Sequence, residues 1–248
     1  MRRLTLALIS ATLAIGGAAA AQTPEGSAAA AAAVASPARP DADRERDPAR
    51  KPAEIVAFAG VEPGDVVAEF LPGGGYYTRV LSRTVGPHGH VYALVPAGFA
   101  QRPGGLDALN ALAAELGNVT VIATDLTQFT LEKPVDLVWT TENYHDMHNG
   151  PTPSFAGVNT AAFAALRPGG IYFVEDHSAA AGAGPGVTQE LHRIDPAQVI
   201  EEVSAAGFTL EAQSDLLKNP NDPKTVGVRD PSVQGETEKF AFRFRKPG

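Results

Sequence analysis

The sequence predicts an α/β domain in which a seven-stranded, mostly parallel sheet lies between two layers of helices. Short β-branched runs alternate with amphipathic helical patterns from residue 47 onward, and such alternation is typical of a parallel sheet covered on both faces. Three glycines directly follow the first of these runs, where such a fold places a ligand-binding loop. The last run follows the sixth with no clear helix between them, so we expect an antiparallel final strand.

The first 21 residues have the three parts of a secretory signal peptide. Arg2 and Arg3 give a positive start, Leu4–Ile15 is largely apolar, and Ala19-Ala20-Ala21 supplies a small-residue cleavage site. A membrane-spanning helix needs about 20 apolar residues, and this stretch is shorter. We therefore expect cleavage after Ala21, a periplasmic or secreted protein, and no stable membrane insertion of the mature chain.

Residues 22–46 are predicted to be a disordered linker rich in alanine and proline, because they include no aromatic residue and have little to bury. The domain is expected to cover residues 47–248. It begins at Asp47-Pro48, a helix N-cap followed by a first-turn proline, or a few residues later at Pro52.

Composition excludes several classes of site and partner. The chain contains no cysteine, which excludes a disulfide framework, a thiolate metal site and a cysteine nucleophile. Without residues 1–21, 18 basic and 28 acidic side chains remain, a net charge of −10. An acidic chain without basic clusters argues against nucleic acid as a partner. The sequence leaves the oligomeric state open.

Seven runs have the length and composition of strands and are bounded by turn residues. They are Val66–Phe70, Val91–Val95, Val119–Ala123, Val135–Thr140, Ile171–Glu175, Phe208–Ala212 and Thr237–Arg245. Helical patterns with apolar residues on one face lie between most of them. They are a first helix that closes at Gly60, Tyr76–Val85, Gly105–Leu116, Phe155–Leu166 and a helix that begins at Asp195-Pro196. Arg167–Gly170 is predicted to be the turn before the fifth strand.

The most informative segment is the end of the first strand, where Glu69 is followed by Pro72-Gly73-Gly74-Gly75 and a helix. Glycine lets a ligand approach the backbone closely, and a helix N-terminus offers free N–H groups to an anion. A dinucleotide and S-adenosylmethionine both suit such a loop, and a plain tight turn is the alternative. The dinucleotide pattern Gly-x-Gly-x-x-Gly fails, because Thr78 stands at its third glycine and Val95 stands where an acid is expected.

The order of elements and several motifs resemble the class I S-adenosylmethionine-dependent methyltransferases over about residues 48–247. The motifs are the acidic, glycine-rich loop, Gly89–Ala93, Asn118-Val119 leading to Asp125, Val135–Val138 and Leu166–Gly170. The chain is most similar to a group of predicted, often exported bacterial methyltransferases whose loop looks like Pro72–Thr78. The resemblance implies a Rossmann-like, three-layer methyltransferase fold, S-adenosylmethionine as cofactor, and methyl transfer to a small-molecule acceptor.

The same resemblance implies a cofactor site. Glu69, Gly73 and Gly75 would surround the methionine end, and Asp125 would lie near the adenine amine. The implied cofactor-binding set is Glu69, Pro72, Gly73, Gly74, Gly75, Tyr77, Val95, Asp125 and Leu126. Two positions depart from the family pattern. Leu71 stands where the family has glycine, and Val95 stands where it has an acid for the ribose hydroxyls.

Two histidine-containing segments follow the fourth and fifth strands. Because parallel neighbours end at the same edge of a sheet, we expect these segments to share a rim above the cofactor. Methyl transfer to a hydroxyl or amine needs a base, and neutral histidine suits that task near pH 7. We expect His145 or His177 to be the base, with Asp146 or Asp176 to orient it.

Other roles for the histidine segments stay open. The side chains could be structural, or they could hold zinc or another divalent ion. The possible ligands of such an ion are His145, Asp146, His148, Asp176 and His177. The methyltransferase hypothesis assigns no metal. Its alternatives are a degenerate member of the fold that binds another ligand, and a metal-dependent enzyme that uses the rim of His145, His148 and His177.

Overall fold

The computed structural model describes residues 23–149, 154–184 and 186–248, so the predicted signal peptide lies outside the described residues. The strands are β1 Val66–Phe70, β2 His90–Pro96, β3 Val119–Thr124, β4 Val135–Thr141, β5 Leu166–His177, β6 Thr209–Ser214 and β7 Lys239–Arg245. The helices are α1 Pro24–Val34, α2 Asp41–Arg44, α3 Asp47–Arg50, α4 Pro52–Ala59, α5 Tyr76–Val85, α6 Asp107–Leu116, α7 Phe155–Ala165, α8 Val187–Glu190 and α9 Pro196–Ala205. Short 3₁₀ turns cover Gly86–His88, Ala97–Phe99 and His145–His148.

The seven strands form one sheet in the order β3-β2-β1-β4-β5-β7-β6. Strand β7 is antiparallel to both of its neighbours, so the other six strands point the same way, as predicted. Their carboxyl ends therefore share one edge. The chain moves outward from β1 through β2 to β3, and then returns to the other side of β1 at β4. This reversal between β1 and β4 is the switch point where open α/β sheets bind ligands.

Helices cover both faces of the sheet and confirm the predicted three layers. One face packs against α1, α4, α5 and α6, and the other packs against α7 and α9. Strand β1 is buried along its whole length, which is typical of a central parallel strand. Among the described residues, no helix combines the length and apolar composition that crossing a membrane requires.

Local signals in the sequence set several element boundaries. Gly60 ends α4 with a φ of 82°, a conformation that glycine adopts readily. Asp195 caps α9 by accepting a hydrogen bond from the Ala197 N–H at 2.9 Å. The fifth strand begins earlier than predicted, at Leu166, and the expected turn at residues 167–170 is a bulge inside it. The bulge arises because β4 pairs Val135 with Leu166 but Leu137 with Ile171.

The prediction of a disordered linker over residues 22–46 is wrong for the described part of that segment. Helix α1 packs against α4 and α5, and the side chains of Ala30 and Ala33 are buried there. Small side chains let α1 approach closely, so it docks without a stripe of large apolar residues. Arg39 is buried as well, and its guanidinium donates two hydrogen bonds of 2.7 Å to the Asp47 carboxylate.

We expect Ala30→Glu to lower the free energy of unfolding by about 2–4 kcal/mol, because it places an unpaired charge where α1 meets the domain. The matched control is Ala31→Glu, whose side chain is on the exposed side of the same helix. We expect it to change stability by about 0.5 kcal/mol or less. Chemical denaturation measures both. Equal effects of the two substitutions would contradict the docking of α1.

Candidate functional site

A cavity of about 590 Å³ lies at the carboxyl ends of β4 and β5, beside the switch point. Its lining includes residues 45, 46, 49 and 50 of the N-terminal segment, Glu142 and three histidines, and parts of residues 228–239. The volume is typical of sites for small molecules. The wall is rich in ionisable groups, so the positions of charges and protons determine what the cavity can do.

A histidine and a buried carboxylate form the centre of the wall. Asp176 is fully buried, and its Oδ1 accepts a hydrogen bond from His145 Nδ1 at 2.8 Å. Asp176 also accepts the backbone N–H groups of His145 at 2.7 Å and His177 at 2.8 Å. Because the carboxylate only accepts, Nδ1 of His145 carries the proton and Nε2 is left as an acceptor. Asp176 is therefore the residue that orients His145.

The pKa values of the two predicted base candidates move in opposite directions. Burial lowers the pKa of His145, but the carboxylates of Asp176, Asp146 and Glu142 together outweigh burial, so the net shift is upward. Burial lowers the pKa of His177 to about 4, so His177 is neutral near pH 7. Its Nδ1 is 2.9 Å from the Thr237 hydroxyl, and its ring centre is 6.5 Å from that of His145.

The other two predicted rim residues, Asp146 and His148, lie in different surroundings. Asp146 is half-exposed, and its Oδ1 is 3.4 Å from His145 Nε2, so it faces the nitrogen opposite Asp176. His148 lies away from the cavity. Its ring stacks on Phe155 with centres 4.4 Å apart, and its Nε2 is 3.1 Å from a Glu202 oxygen.

An ionic network joins the N-terminal segment to the sheet beside this wall. Glu142 pairs with Arg50 and accepts a hydrogen bond from Lys239 Nζ at 2.9 Å. Burial opposes ionisation of Glu142, but Lys239 and Arg50 together lower its pKa to about 2. Glu175 lies deeper, and burial raises its pKa to about 7 although Lys239 Nζ is 3.6 Å away. The network fixes residues 49–50 against the carboxyl edge.

The glycine loop after β1 is open on one side. Gly73 and Gly74 are exposed, and a Cβ added to either would meet no other atom within 4 Å. Gly75 is buried, and a Cβ there would lie 2.3 Å from Leu112 Cδ2. A ligand could therefore approach the backbone at residues 73–74, while Gly75 is required for the packing of α6 on α5.

Leu71 adopts the backbone conformation that a glycine would favour. Its φ is 54°, in the left-handed region that costs a residue with a Cβ roughly 1–2 kcal/mol. Its side chain packs against the core cluster on the α7 and α9 face. The loop therefore keeps a glycine-like path at this position despite the departure in sequence.

Glu69 is buried beneath the loop instead of facing the solvent. Its carboxylate accepts a hydrogen bond of 2.6 Å from the Thr78 hydroxyl in the first turn of α5. Burial raises its pKa to about 7, and the contact with Thr78 only partly opposes that shift. Glu69 thus connects β1 to the start of α5 and positions the loop between them.

Most of the remaining cofactor residues implied by the resemblance follow β1, β2 and β3. Pro72, Val95 and Leu126 are buried, and Tyr77 is buried in α5 with its ring 4.9 Å from that of Trp139. Asp125 is exposed, and its Oδ1 accepts the backbone N–H of Thr127 at 2.9 Å. These residues occupy one side of the switch point, and the histidine wall occupies the other.

Two contacts bring the glycine loop next to the histidine wall. The Asn143 amide is 3.3 Å from the Phe70 carbonyl oxygen and 3.4 Å from that of Leu71. The Arg50 guanidinium lies 4.8 Å from the ring centre of Tyr76, the first residue of α5. Arg50 also lines the cavity, so its side chain links the start of α5 to the cavity wall, while residues 73–75 themselves lie outside the lining.

Four residues of the site were not predicted from the sequence: Arg50, Glu142, His192 and Lys239. His192 Nδ1 is 3.3 Å from His145 Nε2 although the two residues are 47 positions apart. Lys239 is a charged residue in the alternating last strand, and it is buried. Of the four, it is the residue whose place in the sequence could have indicated a charged partner at that edge. Arg50 and Glu142 carry no comparable signal.

No protein-family model matches the sequence, and no curated protein is similar to it in sequence. Several solved structures share its fold. An S-adenosylmethionine-dependent methyltransferase from Aquifex aeolicus is 17% identical, and the match covers 84% of this chain and 98% of that one, with a TM-score of 0.57. The N-methyltransferase NodS from Bradyrhizobium japonicum is 14% identical over 82% of this chain and 97% of that one, with a TM-score of 0.56.

The [4+2]-cyclase SpnF has the same fold as well. It is 18% identical, and the match covers 83% of this chain and 81% of that one, with a TM-score of 0.58. These similarities and the strand order show that the chain has the Rossmann-like methyltransferase fold that the sequence predicted. Since a cyclase shares the fold, the fold alone does not determine the reaction.

We expect Glu69→Gln to change how stability depends on pH. Between pH 4.5 and about 7 the folded Glu69 binds more protons than the unfolded one, so its contribution to stability falls as pH rises. Glutamine removes that fall. The stability of the variant relative to the wild type should rise by on the order of 3 kcal/mol between about pH 4.5 and pH 8.

Urea denaturation over that pH range measures the effect, with Glu115→Gln as the control at a largely exposed side chain. The control should follow the wild-type curve. Curves for Glu69→Gln and the wild type that stay parallel over the whole range would contradict the burial of a protonatable Glu69.

The hydrogen bond to Asp176 predicts the tautomer of His145. At about pH 9, ¹⁵N NMR of the imidazole should show the proton on Nδ1. Asp176→Asn should populate the Nε2–H form, because asparagine offers a single acceptor oxygen to three N–H groups. Asp146→Asn should leave the tautomer unchanged. A wild-type His145 with its proton on Nε2 would refute the assignment.

Proposed function

We propose that this protein transfers a methyl group from S-adenosylmethionine to a small-molecule acceptor. The observation that carries the proposal is the switch point, where Asn143 and Arg50 connect an exposed glycine loop to a cavity that contains an oriented histidine. Methyltransferases among the structures with this fold give further support.

The residues on the loop side of the junction fit the cofactor in part. The exposed backbone of Gly73 and Gly74 would hold its methionine end. Val95 is buried at the end of β2 and offers no acceptor to ribose hydroxyls. When bound, the cofactor supplies a methyl group on a positively charged sulfonium.

The residues on the cavity side perform the acceptor chemistry. His145 Nε2 is free of the Asp176 bond and is placed to take the proton of an acceptor hydroxyl or amine. Asp176 holds the ring and stabilises the imidazolium that forms. The neutral His177 adds a second ring to the wall of the cavity. Most of the rate enhancement would come from holding two reactants in line within a confined volume.

Isothermal titration with S-adenosylhomocysteine tests the proposal. The wild type should bind one equivalent, and Gly74→Leu should bind at least about tenfold more weakly, because the leucine fills the space beside the loop. The added side chain meets no atom within 4 Å, so the fold should persist. Gly184→Leu, at another exposed glycine with open space around it, is the control and should bind normally.

Absence of heat from the wild type with either S-adenosylmethionine or S-adenosylhomocysteine would contradict the proposal. That result would favour a member of the fold that binds another ligand. Equal affinity of Gly74→Leu and the wild type would show that binding occurs away from the loop.

A further inference from the structure

Three potential ligand atoms converge on the wall of the cavity. His145 Nε2 is 3.3 Å from His192 Nδ1 and 3.4 Å from Asp146 Oδ1, and the last two atoms are 3.9 Å apart. Two ligands bound at about 2.0–2.1 Å to a tetrahedral ion are about 3.3–3.4 Å apart. Two of the three separations already match, and a shift of about 0.5 Å would bring the third into range.

We propose that His145, Asp146 and His192 bind a divalent transition-metal ion. This inference goes beyond methyl transfer and does not require it. The set contains two imidazole nitrogens and one carboxylate oxygen, a combination that zinc and iron(II) accept at sites with open positions. It differs from the set considered on sequence grounds, because His148, Asp176 and His177 lie outside it and His192 joins it.

Asp176 supports the site from behind. Metal-binding histidines commonly donate their other N–H to a carboxylate, which sets the tautomer and orients the ring. His145 has this arrangement, with Nδ1 held at 2.8 Å by Asp176 and Nε2 turned toward the other two ligand atoms. The first ligand is therefore preorganised by a carboxylate that has no exposure of its own.

The segment that carries His192 is fixed by its neighbours. His192 has a φ of 53°, in the left-handed region that only a few per cent of residues other than glycine adopt. Two contacts anchor the segment. Arg193 is buried and donates hydrogen bonds of 2.7 and 3.0 Å to Asp222, and the Ile194 N–H donates to the His177 carbonyl at 3.0 Å.

The remaining coordination positions would face the cavity, since all three residues line it. An ion there would act as a Lewis acid toward an oxygen atom of a bound molecule and would lower the pKa of a coordinated water or hydroxyl. If methyl transfer is the activity, the Nε2 lone pair of a metal-bound His145 is occupied, so the ion would replace His145 in that role by lowering the pKa of an acceptor hydroxyl, whose proton would pass to water.

Metal titration of the purified protein, stripped with a chelator, tests the site. The wild type should bind one equivalent of Zn²⁺, and Co²⁺ should produce visible d–d absorption bands from a nitrogen- and oxygen-coordinated ion. Mg²⁺ prefers oxygen ligands and should not compete at similar concentrations. None of these readouts uses S-adenosylmethionine or activity, so failure of this inference is distinct from failure of the proposed function.

Two variants remove ligands without disturbing the fold. His192→Gly suits a φ of 53° and Asp146→Asn is isosteric, so both should unfold at temperatures close to that of the wild type. Each should weaken Zn²⁺ binding by about 100-fold, and Asp176→Asn should weaken it by about 10–100-fold. The controls are His88→Gly and Asp215→Asn, at exposed positions outside the site, and both should bind normally.

Two results would overturn the inference. One is a wild-type protein that binds less than half an equivalent of Zn²⁺ and gives no cobalt spectrum, which would show that the three side chains bond only to one another. The other is full affinity in both His192→Gly and Asp146→Asn, which would place the ion elsewhere.

Discussion

The reversal of chain direction between β1 and β4 is the constraint on which the site depends. Because six strands point the same way, their carboxyl ends share one edge, and connections that leave β1 and β4 on opposite sides open a crevice between them. The glycine loop occupies one lip and the histidine wall occupies the other. Asn143 and Arg50 connect the two lips, so the strand order determines which side chains come together at the site.

Buried charges at this edge are stabilised by specific partners. Asp176 has no exposure, and three N–H donors offset the loss of its hydration. Glu142 keeps its charge because Lys239 and Arg50 lie against it, whereas burial raises the pKa of Glu69 to about 7 although Thr78 donates to it from both its hydroxyl and its backbone. Burial favours the neutral form of an acid unless nearby cations compensate, so Glu142 stays charged at neutral pH whereas Glu69 can be protonated.

Most of the fold could be predicted from local patterns, because β-branched runs, Gly60 and the Asp195 cap act within a few residues of the structure they specify. The docking of α1 could not, since its run of alanines contains no stripe of large apolar residues and gives no amphipathic signal. The histidine pair was predictable only as a set of alternatives. The choice of Asp176 over Asp146, and the approach of His192, depend on side-chain geometry between distant segments.

Hydrogen–deuterium exchange of the wild-type protein, with and without saturating S-adenosylhomocysteine, tests the central claim most directly. A ligand seated on the glycine loop beside the histidine wall should slow exchange at the backbone amides of residues 71–78 and 142–149 together. Unchanged exchange in both segments, or slowed exchange confined to a different part of the sheet, would contradict a cofactor site at the β1–β4 crevice.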